Sequence, residues 1–135
     1  MKIVILYFLE EKNKKHIDIV KNLEKAAIAN GHEVTLCNEK DATNIHFAIF
    51  DYVAVVTVPK GIFSAILPTK MPEILKTHGN LTGKKGSALV IKRGFFTNKM
   101  SRLTMRAMEK EGMVIDYFDI IDTPGFATHV GKKLG

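Results

Sequence analysis

Two hydrophobic patterns succeed one another along the chain: short continuous apolar runs, and stripes spaced by three or four residues. The first run, Lys2 to Phe8 (KIVILYF), is almost continuously apolar and rich in β-branched residues, as a strand buried on both faces requires. Asn13 then reads as a helix N-cap, with Ile17, Val20, Leu23, Ala27 and Ile28 at helical spacing until Asn30-Gly31 ends the segment. Glu33 to Cys37 predicts a second short strand and Asp41 to Phe47 a weak helical turn. Tyr52 to Val58 is the most strand-like run in the chain, and Pro59-Lys60-Gly61 breaks it.

Pro68 to His78 predicts a short helix, with Pro72 tolerable only in its first turn. Gly83 to Gly86 reads as a turn into the strand Ser87 to Lys92. A loop, Arg93 to Thr97, leads to an amphipathic helix from about Asn98 to Glu111, with Met100, Leu103, Ala107 and Met108 on one face. Val114 to Ile121 predicts the last strand. The tail from Thr123 is glycine-broken and is not assigned a helix. Strands alternating with helices imply a parallel sheet with right-handed crossovers. Ligands of such sheets sit beyond the C-terminal strand ends, where strand order reverses. Three loops can face that crevice: Leu9 to Lys15, Pro59 to Leu67, and Arg93 to Thr97.

With 135 residues, 46% hydrophobic and 25% charged, the chain fits one domain, 1–135, with a core that needs no disulfides. Cys37 is the only cysteine and reads as a small core residue. No apolar run approaches the roughly 20 residues of a membrane span. The N-terminal run ends in Glu10-Glu11 without a cleavage site, so a cytoplasmic location is expected. The net charge of +6 is concentrated in the middle third: Lys60 to Arg106 holds ten Lys/Arg against one acid, Glu73. Such a bias attracts nucleotides or acidic partners, though solvated helix faces explain it as well.

Over nearly its whole length the chain resembles the flavodoxin-like family. The resemblance is carried by KIVILYF, HIDIVKNLEKAAIANGHEVTL, FDYVAVVTVPKGIFSAILPTKMPEIL, LTGKKGSALVIKRGFF and LTMRAMEKEGMVI. It implies an α/β three-layer sandwich with a five-stranded parallel sheet, order 2-1-3-4-5, and a last helix that is short or missing. It also implies FMN as cofactor. The family's hydroxyl- and glycine-rich phosphate loop falls here on Leu9-Glu-Glu-Lys-Asn-Lys14, where only Asn13 belongs to the pattern, with Lys14 beside it. Glu10 and Glu11 would lie near the phosphate. A like-charge pair at about 4 Å costs roughly 1 kcal/mol in water and about 4 at a surface-like dielectric. Lys12, Lys14, Lys15 and the helix dipole pull the other way.

The family's second loop falls on Val58-Pro59-Lys60-Gly61, with Phe63 available to stack on a planar ligand. The third falls on Lys92 to Thr97. There Gly94 permits backbone approach, Phe95 or Phe96 can stack, and Arg93 can pair with an anion.

Two functions follow. One is an FMN-dependent redox protein, either an electron carrier or a small flavin or NAD(P)H-dependent reductase, the basic middle suiting a nicotinamide nucleotide. The other is a cofactor-free binding or oligomerisation module. A bare sheet face under the short tail would favour a homodimer. Nucleic-acid binding is disfavoured, because Arg93-Gly-Phe-Phe96 lacks the βαββαβ frame of RNA-recognition domains. No hydrolase elbow or metal spacing occurs among the serines and the five histidines.

Overall fold

Each apolar run forms a strand in the computed structural model, which describes residues 1–10 and 12–135; the expectations attached to Glu11 lie outside them. The elements are β1 (Lys2–Tyr7), α1 (Lys14–Ala29), β2 (Glu33–Asn38), β3 (Tyr52–Thr57), α2 (Met71–Thr77), β4 (Lys85–Ile91), α3 (Thr97–Lys110), β5 (Val114–Ile121) and α4 (Pro124–Gly131). All strand pairs are parallel, and the sheet order is β2-β1-β3-β4-β5. The order reverses between β1 and β3, which places the ligand crevice of such a sheet at their C-terminal ends.

β3 and the four residues Ile3 to Leu6 of β1 are buried throughout, because helices cover both faces of the sheet. On one face Val4, Leu6, Val53, Val55 and Ala88 pack against Met71 and Leu75 of α2 and Met108 of α3. On the other, Ile3, Ile5, Ala54, Leu89 and Ile121 pack against Ile19 and Leu23 of α1 and Ala127 and Val130 of α4.

Three local expectations are corrected. The segment Asp41 to Phe47 divides into two 3-10 turns, Asp41–Asn44 and Phe47–Ile49. Lys84 donates to the carbonyls of Phe47 (2.8 Å) and Phe50 (2.5 Å), which ends the second turn's backbone account. β4 starts at Lys85 rather than Ser87, because Lys85 and Gly86 already pair with Tyr52 and Val53. The buried face of α3 is Thr97, Met100, Ser101, Thr104 and Met108, while Leu103 and Ala107 are only half-buried. Thr104 bonds to Thr57 at 3.0 Å and donates to the Met100 carbonyl, so the hydroxyls are buried without being stranded.

The last helix is short, one of the two outcomes the resemblance implies. Thr123 caps α4 by accepting from the Phe126 N–H, and Pro124 occupies the first turn, where it removes no helical bond. Gly131 lets α4 lie close on α1: a Cβ there would stand 2.6 Å from Ala26 Cβ and 2.7 Å from the Leu23 carbonyl oxygen. Asn22 and Asn30 of α1 donate to the carbonyls of Pro124 and Lys132. The sheet face expected to be bare is therefore covered by the chain's own helix, and the argument it gave for a homodimer falls away.

Candidate functional site

Three loops meet beyond the C-terminal ends of β1, β3 and β4: a backbone contact joins the two after β3 and β4, and the Arg93 side chain ties in the turn after β1. Gly94 has φ +68°, and a Cβ there would stand 2.3 Å from the Ile62 carbonyl oxygen and 2.4 Å from Ile62 Cα. Only glycine allows that approach without a shift in one loop. The Phe95 N–H then donates to the Ile62 carbonyl at 2.9 Å, joining the loop after β4 to the loop after β3. Thr97 closes the loop's base, its Oγ1 accepting from the Arg93 N–H and donating to the Arg93 carbonyl.

This clamp brings two aromatic rings together. Phe63 and Phe95 stack with centroids 5.4 Å apart and planes inclined by 27°. Both stand in solvent, 77% and 75% exposed, with Ile62 and Phe96 exposed beside them. Leaving two such rings in water forgoes on the order of 1.5–3 kcal/mol of burial each. An exposed apolar patch of this kind marks a binding surface more often than a folding requirement.

Among the described residues, the polar side of the crevice is the ion pair of Arg93 and Glu10. Arg93 Nη1 donates to Glu10 Oε1 at 2.7 Å and reaches the Pro59 carbonyl at 3.5 Å, so one guanidinium spans all three loops. Glu10 lies at the mouth of α1, where the Asn13 N–H donates to its carbonyl at 3.2 Å. Asn13 is the N-cap of α1: its side-chain oxygen accepts from the His16 N–H at 3.1 Å. Its amide oxygen is thereby committed to the helix. Lys15 approaches Asp122 at 3.8 Å, an exposed pair of little energetic weight.

His16 is the buried member of this cluster, and among the described residues its Nδ1 has no hydrogen-bond partner. Burial first, and then the Arg93 charge, push its pKa below the ordinary 6.5. Because the unfolded chain takes up this proton before the folded one, stability is complete above about pH 6.5 and falls as pH drops through the window beneath it. His16→Gln is expected to flatten that slope between about pH 7 and about pH 5 in urea unfolding, while distant carboxylates continue to act at lower pH. An unchanged slope would show that His16 takes up its proton alike in the folded and unfolded chain.

The ten residues expected at the site divide clearly. Pro59, Phe63, Arg93, Gly94 and Phe95 converge, with Phe96 exposed at the N-terminus of α3. Lys14 and Lys60 are exposed and stand at the rim of the loops. Gly61 needs no special conformation and a Cβ there would meet nothing within 4 Å. Arg93, expected to meet an anionic ligand, already holds Glu10. Ile62, Thr97 and His16 were not foreseen: Ile62 and His16 act through neighbours distant in sequence, and Thr97 through a side-chain bond to the backbone of its own loop. A cavity of about 320 Å³ lies on the β2 side, lined in part by Tyr7, Leu9, Glu10, Ile17, Leu36 and Asn38. It touches the first loop at Leu9 and Glu10 but neither Phe63 nor Phe95, so the aromatic site is not that cavity.

Cys37 is buried, and burial pushes its thiol up to about 11, which leaves it unreactive at neutral pH. Among the described residues no group of three His, Cys, Asp or Glu side chains could hold a metal ion. No helix of the described residues is long and apolar enough to cross a membrane.

No known family model matches the sequence, and no curated protein matches it. Solved structures do. A flavodoxin from the domain Archaea aligns with a TM-score of 0.73 at 16% identity, covering 98% of this chain and 95% of that one. The two-electron reduced flavodoxin of Megasphaera elsdenii aligns at 0.72 and 15% identity, covering 96% of each chain. Oxidised flavodoxin 1 of Bacillus cereus aligns at 0.71 and 12% identity, covering 97% and 95%. The fold is flavodoxin-like; identities this low carry the fold and no more.

Proposed function

We propose that the protein is a flavin-binding redox protein that holds the isoalloxazine ring between Phe63 and Phe95. The carrying observation is the exposed, face-to-face pair of phenylalanines, clamped by Gly94 beyond the sheet's switch point. A planar ring needs about 7 Å between two flanking faces, twice the carbon contact distance of roughly 3.5 Å. The two rings must therefore part slightly to admit it. The nature of the fold's solved neighbours supports the redox role, two of them being flavodoxins described as oxidised and as two-electron reduced.

Bound flavin supplies one- and two-electron chemistry of its own, so the protein needs only to position and shield the ring. The ring end suits this cofactor. The phosphate end of FMN does not: the turn before α1 offers no hydroxyl and no glycine, and the His16 N–H that an anion there would use is taken by the Asn13 oxygen. Between carrier and reductase, the basic middle third favours a reductase drawing on a nicotinamide nucleotide. A cofactor-free binding module is the second reading, favoured by the contact Phe63 and Phe95 already make with each other.

Titration with riboflavin and with FMN, followed by the visible flavin band and by quenching of flavin fluorescence, separates the two readings. A saturable shift with at least one flavin is expected. No change with either up to about 0.1 mM would remove the redox reading and leave the module.

A further inference from the structure

We infer that Glu10 sets the ligand's charge class: the site takes a flavin without its phosphate in preference to FMN. This rests on the flavin reading above and adds the discrimination to it. An anionic group of a ligand stacked at Phe63 and Phe95 would be held where positive charge gathers, at the N-terminus of α1 and at Arg93. Arg93 crosses from the loop after β4, past the Pro59 carbonyl, and ends on Glu10 at 2.7 Å in the turn leading into α1. The carboxylate therefore occupies, from within the chain, the partner that a phosphate would seek.

The consequence follows from charge counting. Paired with Glu10, the guanidinium presents no net charge to a second anion. A phosphate must either displace the carboxylate, leaving it unpaired nearby, or settle beside an existing negative group. The remaining cations do not reverse this. Lys12 and Lys14 are exposed and screened by solvent, and Lys15 lies beside Asp122. Asn13, whose amide oxygen is used on the His16 N–H, keeps the first turn of α1 partly satisfied. A neutral ribityl chain meets none of these penalties.

The test is equilibrium titration of riboflavin and FMN against the wild type, Glu10→Gln and Arg93→Gln, each first checked for an unchanged urea midpoint. The wild type is expected to bind riboflavin at least as tightly as FMN. Glu10→Gln frees the guanidinium and should tighten FMN by about tenfold, leave riboflavin unchanged, and lose the gain at high salt. Arg93→Gln should weaken FMN by more than it weakens riboflavin. Wild-type preference for FMN, or equal effects of Glu10→Gln on both flavins, would overturn the assignment while leaving flavin binding intact. Failure of every variant to bind either flavin would instead overturn the flavin reading itself.

Discussion

Gly94→Ala is expected to destabilise the fold by about 2–3 kcal/mol and to weaken flavin binding together with it. The left-handed backbone, φ +68°, costs a residue with a Cβ roughly 1–2 kcal/mol. The new methyl would also stand 2.3 Å from the Ile62 carbonyl oxygen, so one loop must move. That movement breaks the Phe95 N–H bond to Ile62 and carries Phe95 away from Phe63. Urea unfolding measures the first effect and flavin titration the second. Gly61→Ala is the matched control: with ordinary φ and no atom within 4 Å, it should change stability by no more than about 0.5 kcal/mol. Equal behaviour of the two variants would show that the close approach of the loops does not organise the site.

The second large effect is on binding alone. Phe63→Ala with Phe95→Ala should lower flavin affinity about 100-fold, since stacking on an aromatic side chain contributes roughly 1–3 kcal/mol per ring face. Stability should hold or rise slightly, because both rings are exposed in the free protein. A fall in stability without a fall in affinity would make the pair a structural staple of the two loops. Each single variant should lose more than half of the effect in free energy if the two faces cooperate in aligning the ring.

Much of this arrangement is written locally. The strands were legible because continuous β-branched runs leave little alternative, and β5 was bounded at Val114 and Ile121 by Gly112 and Asp122-Thr123. Phe63, Gly94 and Phe95 were singled out through the resemblance to the flavodoxin-like family, and the structure brings them together beyond the sheet's C-terminal edge. The signal for α4 was also present, as Thr123 followed by Pro124 is an N-cap with proline in the first turn. Two glycines hid it, yet Gly131 serves packing against Ala26 rather than breaking the helix. On α3 the apolar stripe misplaced the buried face, because Thr104 is buried by pairing with Thr57, a partner across the fold.

Glu10 was the least legible residue. Read as one of two adjacent glutamates it repels a phosphate through space; in the folded chain it engages Arg93, 83 positions away. No periodicity or spacing encodes such a pair. It changes the meaning of the turn from an eroded phosphate cradle to a turn that carries its own anion.

The most direct measurement is proton NMR of the protein bound to riboflavin, with ring-labelled phenylalanine assigned through the Phe63→Leu and Phe95→Leu variants. Flavin ring protons should shift upfield and show nuclear Overhauser contacts to both Phe63 and Phe95, as a ring held between two aromatic faces must. Saturable binding without contact to either phenylalanine would contradict the placement of the flavin at this site.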